Sequence, residues 1–96
     1  SPGPARRPGA RMTAPGVPDD VRVVVFGKPG CHLCDVAYEV VEQVCSASGA
    51  TWRSVQIQDD PDLMARYGEQ IPVTFVDGRE HAIWRVEPDR LRAALG

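Results

Sequence analysis

Cysteine is scarce in this sequence, with three in 96 residues. An odd number cannot form a fully paired disulfide framework, which excludes a fold stapled in the manner of small secreted scaffolds. No apolar run approaches the roughly 20 residues needed to span a bilayer, so no membrane role is expected. Lysine and arginine are scattered, the formal net charge is −2, and no basic stripe alternates with aromatics. Nucleic acid is therefore not expected as a partner. Arg6, Arg7 and Arg11 have no apolar segment behind them of the kind a secretory signal requires. A cytoplasmic setting is the default, and in a reducing compartment a close cysteine pair is usually catalytic or metal-binding.

What is present falls into two parts. Residues 1–20 hold five prolines and three glycines with almost no large apolar side chains. Such a stretch buries too little surface to offset its ordering entropy, and it reads as a flexible tail, with Met12 as a candidate natural start. Residues 21–96 read as one domain.

Within that domain the apolar pattern alternates between two periods. Val21, Val23, Val24, Val25 and Phe26 form a nearly continuous run suited to a strand buried on both faces. Gly27, Lys28, Pro29 and Gly30 break it. Leu33, Val36, Ala37, Val40, Val41, Val44 and Cys45 then follow the three-and-four spacing of a helix, with Gly49 as its stop. Residues 51–58 predict a second strand through Val55 and Ile57, and Asp60-Pro61 predicts the capped start of a short helix through Leu63, Met64 and Tyr67. Residues 73–76 predict a third strand. Asp77-Gly78 predicts a tight hairpin to a fourth near residues 82–84. Pro88 opens a last helix with Leu91, Ala94 and Leu95 on one face. The order β-α-β-α-β-β-α implies an α/β domain in which a four-stranded mixed sheet carries helices on both faces.

Cys31 and Cys34 fall where the buried strand hands over to the helix. Unpaired N–H groups and the positive end of the helix dipole stabilise a thiolate there, and such placement lowers a cysteine pKa to roughly 3.5–7.5. Cys31 is accordingly the expected attacking thiol and Cys34 the resolving one. Lys28 and protonated His32 would favour the thiolate further; equally, both are read as solvated loop and helix-start residues. A zinc site would need two more ligands. Cys45 sits in the apolar series of the helix, and His81 beside the hairpin is expected to be exposed. No metal is therefore expected. Ile71-Pro72-Val73 puts a proline at the start of a strand, where it costs a ladder hydrogen bond and calls for a positional reason.

The segments F-G-K-P-G-C-H-L-C-D (26–35), Y-G-E-Q-I-P-V (67–73) and V-D-G (76–78) resemble the glutaredoxin-like family of small thioredoxin-fold proteins. The likeness runs from about Val21 to Gly96. It implies a thioredoxin-like fold, with Cys31 as nucleophile, Cys34 as resolving thiol and Pro72 as a cis-proline beside them. Ile71 and Pro72 would then offer a backbone edge to an extended thiol substrate. Lys28 matches a lysine that glutaredoxins use near a glutathione carboxylate.

The expected function is thiol–disulfide exchange on protein or small-molecule disulfides. The expected substrate-binding residues are Lys28, His32, Ile71 and Pro72. No tightly bound cofactor is expected, the electron donor is left open between glutathione and a thioredoxin-type reductase, and the chain is expected to act as a monomer. A rival reading is a redox-sensing or partner-binding module that uses the same pair without turnover.

Overall fold

The run of β-branched residues after Arg22 forms β1, Val23–Gly27, and all five of its residues are buried. The computed structural model describes residues 17–18 and 20–96; the tail expected over residues 1–20 and the start at Met12 lie almost wholly outside them. Six further elements follow in the expected order: α1 (His32–Ser48), β2 (Trp52–Gln56), α2 (Pro61–Tyr67), β3 (Val73–Val76), β4 (Arg79–Ile83) and α3 (Pro88–Leu95).

The strands form one mixed sheet in the order β2-β1-β3-β4. β1 runs parallel to β2, to which α1 connects it, and antiparallel to β3. Asp77 and Gly78 join β3 to β4, and both have positive φ, 53° and 84°, as a two-residue type I′ turn requires. β4 begins directly after this turn, earlier than the expected residues 82–84, because the two-residue loop leaves Arg79 already paired with Val76.

Side-chain alternation along β1 divides the core. Val24 and Phe26 face a cluster with Leu63 and Tyr67 of α2, Phe75 of β3 and Cys34. Phe26 packs on Phe75 with ring centres 4.8 Å apart and meets Tyr67 edge-on at 5.3 Å. On the other face Val23 and Val25 pack with Ala37, Val41, Val44 and Cys45 of α1 and with Leu91 and Leu95 of α3. Helices therefore cover both faces of the sheet, and Cys45 is a core residue. Val17 is buried in the first cluster, so apolar packing begins ahead of β1.

Local chemistry sets the helix ends. Gly49 closes α1 in the left-handed conformation, with its N–H donating to the Cys45 carbonyl. Asp60 caps α2 by accepting the Leu63 N–H at 3.1 Å, and Pro61 occupies the first turn. Further expectations change, and Ala94, read with Leu91 and Leu95, is exposed on α3. Leu33 and Val36, read as part of the buried face of α1, are 47% and 44% exposed, because the buried row runs Cys34, Ala37, Val41, Val44 and Cys45. His81, expected to be exposed, is half-buried in β4, and burial lowers its pKa.

Candidate redox site

β1 ends at Gly27, and the chain crosses Lys28, Pro29 and Gly30 before α1 begins. Gly30 takes a φ of 75°, the left-handed conformation that lets this short link turn into the helix. Cys31 is the N-cap of α1, in extended conformation with φ −99° and ψ 112°. Its sulfur accepts the Cys34 backbone N–H at 3.3 Å, and its carbonyl accepts the Asp35 N–H at 3.1 Å. Cys31 Sγ thus takes the capping position that a serine or aspartate oxygen commonly fills. That bond fixes the Cys31 sulfur at the N-terminal end of α1.

The two thiols differ in access. Cys31 is partly exposed, Cys34 has no exposed surface, and both are free. Burial pushes the Cys34 thiol up to about 11, and the neighbouring Cys31 side chain adds to the rise, while the Lys28 backbone N–H opposes it. One thiol is open to solvent, and the other is buried and held protonated.

Gly27 makes room for this arrangement. A Cβ there would lie 2.3 Å from the Tyr38 hydroxyl and 3.0 Å from Cys34 Sγ. Both groups therefore press on the end of β1 where only a glycine leaves space. Tyr38 stands one helical turn beyond Cys34, and its hydroxyl accepts a hydrogen bond from Gln56 Nε2 at 3.3 Å. Burial raises the Tyr38 pKa, which the Gln56 bond partly opposes. The sequence signal for Tyr38 was its spacing of four from Cys34, which puts both on one helix face.

The loop before β3 closes the site. The Ile71–Pro72 peptide is cis, Pro72 is buried, and Ile71 lies in the same apolar cluster as Cys34, against which Cys31 also packs. The Pro72 carbonyl accepts the Trp84 N–H at 2.8 Å. Trp84 also donates its indole N–H to the Glu69 carbonyl at 3.2 Å, which ties the end of β4 to the proline loop. This link was not legible in the sequence, where Trp84 read as strand.

Of the expected site residues, Cys34 and Ile71 share one apolar cluster, Cys31 packs against it, and Pro72 follows Ile71 as a fully buried residue. His32, the first residue of α1, is exposed and lines an adjoining groove with Trp84. Lys28 is exposed in the link between β1 and α1. Among the described residues, no group of three or more His, Cys, Asp or Glu side chains is arranged to hold a metal ion.

Comparison with known proteins fits this geometry. Residues 22–96 match the family model described as Glutaredoxin-like domain (DUF836). The chain belongs to the glutaredoxin-like domain family. The uncharacterized protein Rv0508 of Mycobacterium tuberculosis is 31% identical over 79 residues, which cover 77% of this chain and 81% of the relative. An X-ray structure of protein XcR50 from X. campestris is 36% identical, with a TM-score of 0.65, covering 76% of this chain and 93% of that one. A thioredoxin from Halobacterium salinarum, 23% identical, shares the fold with a TM-score of 0.56 over 80% of this chain and 73% of its own. The glutaredoxin-like domain thus has a thioredoxin-like α/β fold with a Cys-x-x-Cys pair at the start of its first helix. Among the described residues, no helix is long and apolar enough to cross a membrane.

Proposed function

We propose that this glutaredoxin-like domain is a thiol–disulfide oxidoreductase in which Cys31 attacks and Cys34 resolves. The supporting observation is the asymmetry of the pair, with a partly exposed Cys31 sulfur capping α1 in front of a fully buried Cys34 thiol. Cys31, as thiolate, attacks one sulfur of a substrate disulfide, forming a mixed disulfide and releasing the first substrate thiolate, which takes a proton. Cys34 then gives up its proton and attacks Cys31 Sγ. The second substrate sulfur leaves as a thiol, and the pair ends as a disulfide, having passed two electrons to the substrate.

Resolution requires the buried Cys34 thiol to give up its proton. With its thiol held near 11, about one Cys34 in ten thousand is ionised at pH 7. Part of that rise comes from Cys31 and weakens once the Cys31 sulfur is tied up in the mixed disulfide. Formation of the intermediate therefore primes Cys34 for attack. Ile71 and Pro72 are assigned to bind the extended substrate backbone, and Lys28 and His32 to flank the attacked disulfide. The pair is returned to the dithiol by glutathione or a thioredoxin-type reductase in the cytoplasm, and the domain acts as a monomer on protein or small-molecule disulfides.

The deciding assay is turnover of a small disulfide with glutathione or a thioredoxin reductase as donor. Activity should be lost in Cys31→Ser and kept in Cys45→Ser. Full activity in Cys31→Ser overturns the assignment. Reversible oxidation of the pair without turnover by either donor points instead to a redox-sensing module.

A further inference from the structure

Three large apolar side chains are exposed among the described residues, and all of them lie in one place. Leu33, Val36 and Trp84 are 47%, 44% and 52% exposed, and each lines a groove of about 400 Å³ between α1 and the segment joining β4 to α3. His32 lines the same groove, so the groove begins at the residue that follows Cys31 in the chain. Exposed apolar side chains scattered singly need no explanation; a contiguous set next to a reactive group does.

The placement of Trp84 is costly. Its φ is 66°, a left-handed conformation that a bulky residue rarely adopts. Two hydrogen bonds hold it there, from its backbone N–H to the Pro72 carbonyl and from its indole to the Glu69 carbonyl. Neither bond buries the ring, which still faces solvent over α1. Strain of this kind at a candidate site runs from an observed outlier to a role.

The chemistry of the neighbouring thiol says what covers the groove. Any disulfide attacked by Cys31 becomes bonded to that sulfur, and the residues on either side of the substrate cysteine are then held over the adjoining surface. Glutathione offers a glycine and a γ-linked glutamate there, both polar and charged, and neither would use Leu33, Val36 or Trp84. The charged residues on the groove wall, Arg85 and Glu87, are of opposite sign and select no net charge.

We infer that the Leu33–Val36–Trp84 groove binds an apolar side chain flanking the substrate cysteine, which makes extended peptide or protein disulfides with apolar flanks the preferred substrates. This rests on the dithiol reading proposed above. Trp84 and Leu33 act as specificity residues, and Trp84 couples the groove to the proline loop through its bonds to Pro72 and Glu69. Burial of one leucine-sized side chain corresponds to about tenfold in the second-order rate constant.

The test uses the full chain, reduced and in excess, in single-turnover reactions with two acetylated peptides, each oxidised to its homodisulfide. One carries leucine on both sides of its cysteine and the other serine, with glutathione disulfide as a third substrate. The reduced Cys31–Cys34 pair supplies the two electrons, and release of peptide thiol is followed. The leucine peptide should react about tenfold faster than the serine peptide, and a Leu33→Ser/Val36→Ser variant should bring the ratio near one. Both residues are exposed on α1, so this variant keeps its core, and Trp84→Ala provides a second reading of the same ratio. Equal rates for the two peptides, or a preference that survives in the double variant, overturn the inference. Equal rates together with self-association that the double variant abolishes assign the groove to a second copy of the chain instead. No reaction with any of the three disulfides overturns the dithiol reading itself, and this inference with it.

Discussion

Raising the pH of the fully reduced protein from 8 to 11 should cost it stability through Cys34. Burial holds this thiol up to about 11, against 9.0 for an unhindered cysteine. The folded state therefore keeps the Cys34 proton at pH values where the unfolded chain has released it. A group whose folded pKa is raised contributes in full below its unfolded pKa and loses that contribution as pH climbs toward the folded value. The loss should be negligible at pH 8, about 1 kcal/mol by pH 10 and about 2 kcal/mol by pH 11. Tyr38 and Cys45 are also raised by burial and fall in the same direction, so the comparison needs a variant that removes Cys34 alone. Urea unfolding at several pH values, with a phosphine reductant present, should show wild type and Cys34→Ala converging as pH rises. The offset at pH 8 reports the vacated space; only its change with pH reports the buried proton. Parallel loss in the two proteins between pH 8 and 11 would refute the claim that Cys34 is held protonated by burial.

Three further outcomes follow from single contacts. Limiting iodoacetamide at neutral pH should modify Cys31 first and leave Cys34 and Cys45 unmodified until the fold opens, since both are fully or almost fully buried; peptide mapping reads this directly. Gly27→Ala should destabilise the domain by about 1–3 kcal/mol in thermal unfolding, because its methyl group meets the Tyr38 hydroxyl and Cys34 sulfur at 2.3 and 3.0 Å. An unchanged midpoint would mean that α1 slides aside freely. Asp60→Ala should cost about 1 kcal/mol by removing the acceptor for the Leu63 N–H, and Asp60→Asn should restore most of it.

Much of the fold could be read before the structure because its signals are local. The β-branched run of β1, the Asp60-Pro61 start of α2 and the Asp77-Gly78 turn each depend on neighbours in sequence, and each lies where the chain pattern puts it. The cysteine pair was legible for the same reason, as two cysteines at a strand-to-helix junction. Features that depend on distant partners were not. Leu33 and Val36 fit the helical period as well as Ala37 and Val41 do, and only the packing of α3 and β1 decides which row is covered. Trp84 reads as the end of a strand until its ties to Glu69 and Pro72 are seen. Gly27 reads as part of a four-residue break, yet it is the last residue of β1 and yields its side-chain space to Tyr38 and Cys34.

The proposed division of labour between the two thiols is tested most directly by arresting the exchange half-way. A Cys34→Ser variant, mixed with a small or peptide disulfide and quenched in acid, is analysed by peptide mapping of the mixed disulfide. The adduct should accumulate on Cys31 alone and disappear when Cys31 is also replaced by serine. An adduct on Cys45, or an unmodified Cys31 after full exposure to the disulfide, would contradict the assignment of Cys31 as the attacking thiol.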